Sequence, residues 1–159
     1  NEASIEAGTA SGKSIGGGGV LYSARNATAE REHIIFSNTN GEVGSIKTTG
    51  SATSFNTSSD YRLKENITPI VDAFDRVKTL KPCRFNFIAD ADKTLDGFIA
   101  HEAQEVVPEA VTGTKDGEEM QAIDASKLDP LLTAALQESI ARIDKLQKEV
   151  DSLKSNQVN

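Results

Sequence analysis

The chain has 159 residues, 17 Lys and Arg against 24 Asp and Glu, and 37% apolar residues, so it can bury one modest core at most. A net charge of −7 argues against a nucleic-acid backbone or an anionic membrane as the main partner, because both require clustered cations, and no apolar run approaches the roughly 20 residues of a membrane span. The single cysteine, Cys83, forms no internal disulfide and supports no thiolate metal cluster. The opening run NEASIEAGTASGKS carries neither a basic leader nor a hydrophobic segment, and the chain reads as a soluble piece of something longer.

Composition divides the chain near residue 58. Nine of the 12 glycines lie before it, and the charge splits into four basic and five acidic residues upstream against 13 and 19 downstream, that is −1 and −6. Gly12-Lys13-Ser14 suggests a phosphate loop, but Ala7 stands where the earlier glycine is needed, and the run Gly16 to Gly19 does not start a helix. Short alternating runs follow: Val20-Leu21-Tyr22, His33-Ile34-Ile35-Phe36 and Val43-Gly44-Ser45-Ile46, separated by turn residues such as Asn38-Thr39-Asn40-Gly41. They predict short strands. With Tyr22, Phe36 and Phe55 as its only aromatics, one copy of this segment cannot offset its backbone entropy. It is either disordered or shares a core. The β-branched residues and regular turns favour sharing, with identical chains each contributing a strand to a common interior.

Downstream, Thr68 is a candidate helix cap with Pro69 at the first helical position, and Ile70, Phe74, Val77 and Leu80 follow at helical spacing until Pro82. Cys83, Phe85 and Phe87 alternate with Arg84 and Asn86 as a half-buried strand. Asp90 to Asp96 reads as a polar turn before a second strand over Gly97 to Ala100. A short helix is expected from Glu102 to Val107, ending at Pro108. Val111 and the Lys115-Asp116-Gly117 turn suggest a hairpin whose return strand includes Met120 and Ile123.

From Leu128 to Leu153 the apolar residues fall in heptads, with Leu136, Ile143 and Val150 at a, Leu132, Leu146 and Leu153 at d, and the polar Ser139 at one d position. This predicts a coiled-coil helix over 127–155; the alternative is an amphipathic helix docked on its own domain. A coiled coil needs partners, as the glycine-rich segment does. Two separate features therefore point to an oligomer.

Candidate chemistry is sparse. His33 and His101, the only histidines, lie in different parts of the chain and read as surface or partly buried polar residues; Glu30-Arg31-Glu32 and Glu118-Glu119 read as solvated faces. Ser58-Ser59-Asp60-Tyr61-Arg62-Leu63-Lys64-Glu65-Asn66-Ile67 stands out at the composition boundary. A serine hydroxyl becomes a nucleophile when a base takes its proton, and a lysine serves as that base if desolvation or a nearby cation such as Arg62 lowers its pKa. Ser59 and Lys64 are five residues apart, a gap that a single turn of chain closes. By itself that spacing is common and fits an ordinary linker.

The run Ser59-Asp60-x-Arg62-x-Lys64-Glu65-Asn66-Ile67 resembles the start of the peptidase S74 family, the self-cleaving intramolecular chaperone domain at the carboxyl end of trimeric phage tail spikes and tail fibres, including endosialidases. Leu80-Lys81-Pro82, the stretch from Gly97 to Val111 and a terminal helix match in the same order, with His101 where the pattern commonly has Gln. The resemblance implies a catalytic dyad of Ser59 and Lys64 and one self-cleavage next to the serine, needing no metal and no cofactor. Attack of the hydroxyl on the preceding carbonyl selects the Ser58–Ser59 bond, with Ser59–Asp60 as runner-up. Asp60, Arg62, Glu65 and Asn66 would be supporting residues, for orientation or oxyanion stabilisation.

The resulting expectation is an α+β chaperone domain over 59–159, with a long coiled-coil helix. Before it, over 1–58, stands the end of an all-β fibrous stalk, a homotrimeric triple-stranded β-helix by family resemblance. The expected partners are two further copies of the chain and the upstream fibre domains, with no nucleic acid and no membrane. The mature fibre would sit on the virion tail, and the chaperone domain would be released in the host cytoplasm during assembly. The competing expectations are a trimerisation module that never cuts and a receptor-binding tip that stays on the particle.

Overall fold

The computed structural model describes residues 12–15 and 21–157, so Val20 and the run Gly16 to Gly19 lie outside the described residues. These residues form two compact units divided after Ile67.

In the upstream unit, β1 (Gly12–Ile15) pairs antiparallel with β2 (Leu21–Ala24). Gly12, Lys13 and Ser14 thus lie in a strand, not at the strand-to-helix turn that aims amides at a phosphate. β3 (Arg31–Asn38), β4 (Gly41–Thr49) and β5 (Ala52–Thr57) form an antiparallel meander in that order. The expected runs His33 to Phe36 and Val43 to Ile46 fall inside these strands. Asn38 faces Gly41 across the first turn, where the Asn40 amide donates to Asn38 Oδ1 at 2.8 Å and Gly41 takes φ +96°, a region that favours glycine. Half-buried His33 connects β2 to β4, with Nδ1 2.9 Å from Ser23 Oγ and Nε2 2.8 Å from Thr48 Oγ1.

The three strands of the meander pair with one another in sequence order. Backbone hydrogen bonds hold the sheet, yet its apolar surface stays uncovered: Ile35, Phe36 and Phe55 are half or more exposed, and the one buried residue described in this unit is Ser45.

In the downstream unit, α1 (Ala73–Thr79) begins later than the expected Thr68–Pro69 start, and residues 68–71 are an irregular lead-in. The correction has a tertiary cause. Asp72, at φ 57°, makes no side-chain cap; the amides of Ala73 and Phe74 instead donate to the carboxylate of Glu138, at 3.0 and 3.2 Å. A distant carboxylate satisfies the orphan donors of the first turn and so selects where the helix starts. α1 ends before Pro82, as expected, with Leu80 already extended.

β6 (Cys83–Phe87) has the expected alternation at its start, with Cys83 and Phe85 half-buried between exposed Arg84 and Asn86, but Phe87, beyond a register shift after Asn86, is 60% exposed. Its partner departs from expectation. Residues Asp90–Gly97 are strand β7, and the turn is Ile88-Ala89. Polar side chains there are satisfied in cross-strand pairs: Arg84 Nε donates to Asp96 Oδ1 at 2.7 Å and Asn86 Nδ2 to Thr94 Oγ1 at 3.2 Å. Such pairs stabilise a mostly exposed strand whose own sequence shows no apolar alternation. Of the expected strand over Gly97 to Ala100 only Gly97 lies in a strand, as the end of β7, and Ala100 opens α2 (Ala100–Gln104), which begins and ends earlier than the expected 102–107 helix. A 3₁₀ turn follows at Pro108–Ala110. The expected small hairpin is present as β8 (Val111–Thr112) and β9 (Ala122–Ile123), but Met120 lies outside the return strand and is fully exposed.

The core of this unit comprises Ala73, Ala103, Val107, Ala110, Val111, Leu128, Leu131 and Ala135. It is small and rich in alanine. The long helix α3 (Asp129–Gln157) follows a 3₁₀ turn at Ala125–Leu128 that the Asp124 carboxylate caps at the Ser126 amide. The amino-terminal part of α3 uses Leu131, Ala135 and Glu138 to dock on the core and α1. Arg142 extends that docking face, its guanidinium 3.9 Å from the centroid of the Phe74 ring, at cation–π distance. A second stripe, Leu132, Leu136, Ile143, Leu146, Val150 and Leu153, is exposed along the helix. The helix is therefore docked on its own unit through one face while presenting the heptad positions on another.

Candidate active site

Ser58 ends the upstream sheet in a defined place. Its amide donates to the Val43 carbonyl at 3.1 Å and its hydroxyl to the Glu42 carbonyl at 3.1 Å, which ties the residue before Ser59 to β4. Both acceptors are backbone atoms of another strand, so no side-chain signal in the sequence marks them.

A 3₁₀ turn at Tyr61–Leu63 follows at once. Asp60 is its cap: Oδ1 accepts from the Arg62 amide at 2.9 Å. The turn closes with the Leu63 amide on the Asp60 carbonyl at 3.1 Å and the Lys64 amide on the Tyr61 carbonyl at 3.0 Å. Aspartate is suited to this position because its short carboxylate reaches an amide two residues on. The chain thereby doubles back across the five-residue gap. Lys64 Nζ donates to Ser59 Oγ at 2.7 Å, a charge-assisted distance if the amine is an ammonium and the approach required of a base if it is not.

Arg62 has a different partner from the one expected. Its Nε donates to Asp60 Oδ1 at 2.9 Å and its Nη2 to Asp60 Oδ2 at 2.7 Å, a bidentate fork. The side-chain hydrogen bond from Arg62, reinforced by that from its backbone, holds the Asp60 carboxyl below its ordinary value, and the same bond raises the Arg62 guanidinium. A cation paired in this way is a poor candidate for pushing a proton off Lys64, the part the sequence suggested for it. Asn66 sits just beyond the turn in the left-handed region at φ 54°, which Asn tolerates better than most residues. Glu65 precedes it. Ser58 to Asn66 are all exposed in the single chain.

The other sequence candidates stay apart from this cluster. His33 is held in the sheet by the two hydroxyls described above, and His101 lies in α2 of the other unit. Among the described residues no group of three or more His, Cys, Asp or Glu side chains is arranged to hold a metal ion. Among them, too, no helix is long and apolar enough to cross a membrane.

Ser59 also begins a recognisable family segment. Residues 59–112 match the family model Peptidase S74, described as chaperone of endosialidase. The chain is 33% identical over 98 residues to the long tail fiber protein Gp37 of Enterobacteria phage K3, and equally to that of Enterobacteria phage T2. Each match covers 58% of this chain but 8% and 7% of those much longer proteins. The chain is thus similar to the Peptidase S74 family, chaperone of endosialidase, over residues 59–112.

Proposed function

We propose that this chain is the end of a phage tail fibre or spike together with the intramolecular chaperone that assembles it. In this reading residues 1–58 close a trimeric β-helical stalk, and residues 59–159 trimerise, align the upstream strands and are then released by one cut at Ser58–Ser59. The fibre goes to the virion tail, and the chaperone domain stays behind in the host cytoplasm.

The observation that carries the cut is the 2.7 Å approach of Lys64 Nζ to Ser59 Oγ. With the amine neutral, Lys64 takes the hydroxyl proton as Oγ forms a bond to the Ser58 carbonyl carbon. The carbon–nitrogen bond between Ser58 and Ser59 then breaks, and the nitrogen takes up a proton to become the free amine of Ser59. Water hydrolyses the resulting ester, leaving a Ser58 carboxylate and the restored Ser59 hydroxyl. Ser58 is favoured as the acyl side because its amide and hydroxyl are both tied to β4, which restrains the carbonyl under attack.

Two uncovered surfaces support the assembly role: the sheet that leaves Phe55 78% exposed, and the exposed heptad stripe of α3. A compact unit that associates first raises the local concentration of the upstream strands and aligns their register, which is otherwise slow to find. Removal of that unit leaves the fibre without its assembly route, so that its persistence is governed by its unfolding rate.

Denaturing electrophoresis and intact mass of the freshly made chain test this. Two pieces that join at Ser58–Ser59, absent in Ser59→Ala and Lys64→Ala, are the expected result. A wild-type chain that never splits would leave a non-cleaving trimerisation module.

A further inference from the structure

We propose that Asp60 and Arg62 are positioning residues for the self-cleavage, a two-residue clamp that holds the turn on which Lys64 reaches Ser59. The inference rests on the function proposed above and assigns separate roles within it.

The argument starts from chain geometry. Ser59 and Lys64 flank the Tyr61–Leu63 turn, which is a single 3₁₀ turn closed by two backbone bonds. An isolated turn of this length is marginal in water, because few hydrogen bonds are gained for the dihedrals that must be restrained. All of its side chains are exposed, including Tyr61 and Leu63, so no apolar packing within the chain holds it. What remains is Asp60. Its Oδ1 accepts from both the amide and Nε of Arg62, and its Oδ2 accepts from Nη2. One carboxylate thus fastens the backbone and the side chain of the same residue in the middle of the turn.

Arg62 suits this because its fork is planar and engages both carboxylate oxygens, whereas a lysine would contact the same carboxylate as a point charge. A base placed about 1 Å too far away loses roughly a hundredfold in rate. The clamp therefore acts through the distance between Lys64 and Ser59, and neither Asp60 nor Arg62 exchanges a proton.

The full chain, made as uncut precursor, tests the proposal by the rate at which intact mass divides into two. Arg62→Ala is expected to slow splitting roughly ten- to a hundredfold with the assembled size unchanged by native mass spectrometry. Millimolar guanidinium is expected to restore part of that rate in Arg62→Ala and none in Lys64→Ala. Asp60→Asn, which keeps an acceptor oxygen for the turn amide, should fall between wild type and Asp60→Ala. Arg62→Ala splitting at the wild-type rate, or slowing without recovery in guanidinium, overturns the clamp. If the wild-type chain itself never splits, the reading beneath the proposal fails. The clamp is then judged by amide exchange at Leu63 and Lys64, with faster exchange in Arg62→Ala expected and unchanged exchange overturning it.

Discussion

The carboxylate of Glu138, 65 residues downstream in the chain, accepts the amide hydrogen of Ala73 at 3.0 Å and so caps a helix to which it does not belong. It also accepts from Phe74, while Arg142, one turn further along α3, lies over the Phe74 ring. Glu138 thus joins α1 and α3 through hydrogen bonds to a charged group, which exceed neutral ones in strength. Glu138→Ala is expected to lower the stability of the downstream unit by about 1–2 kcal/mol. Glu138→Gln, which keeps an acceptor oxygen, should lose less. Urea unfolding followed by circular dichroism at fixed chain concentration checks both.

In the function proposed above, Lys64 acts as a base and not merely as a hydrogen-bond donor to Ser59. Arginine at that position would still donate N–H groups to the hydroxyl, but a guanidinium does not give up its proton at neutral pH. Lys64→Arg should therefore fold and assemble as the wild type does and remain whole on a denaturing gel. Splitting at an undiminished rate would show that the lysine amine takes no proton.

The two apolar faces of α3 should respond differently to truncation. Leu131 is 3% exposed in the core, whereas Leu146 is 59% exposed on the heptad stripe. Leu131→Ala removes buried methyl groups and is expected to cost about 2–5 kcal/mol of chain stability. Leu146→Asp should leave the fold of a single chain intact and weaken self-association, because a charge at a d position must be desolvated against its neighbours. Sedimentation over a range of concentrations together with thermal melting separates the two effects. A Leu146→Asp chain that assembles like the wild type would remove α3 from the assembly interface.

The Asp60 carboxyl titrates below its ordinary value because Arg62 bonds to its charged form. The contribution of this pair to the turn is therefore present above the ordinary carboxylate value and is lost as pH falls through the lowered one. A carboxyl carbon titration by NMR should place the Asp60 midpoint below that of an exposed aspartate. Arg62→Gln should bring it back up. Identical midpoints in the two chains would show that the fork does not persist in solution.

Local chemistry accounts for most of what could be read before the fold was known. Pro82 stopped α1, the alternation from Cys83 to Asn86 made a half-buried strand, and the heptads of residues 128–153 made a long helix, each through sterics or periodicity confined to one segment. The misread elements share a different origin. The β7 strand is held by polar cross-strand pairs that no hydrophobic pattern announces, and α1 starts where Glu138 reaches it rather than at Thr68.

The same division applies to the candidate site. Resemblance of the run Ser59 to Ile67 to a known family nominated Ser59 and Lys64, since a serine and a lysine five residues apart fit an ordinary linker on their chemistry alone. Only the folded chain shows that the gap between them closes to 2.7 Å, that Arg62 faces Asp60, and that Ser58 is fastened to the carbonyls of Glu42 and Val43. A contact distance depends on backbone dihedrals and on partners remote in sequence, and the spacing of letters along the chain carries neither.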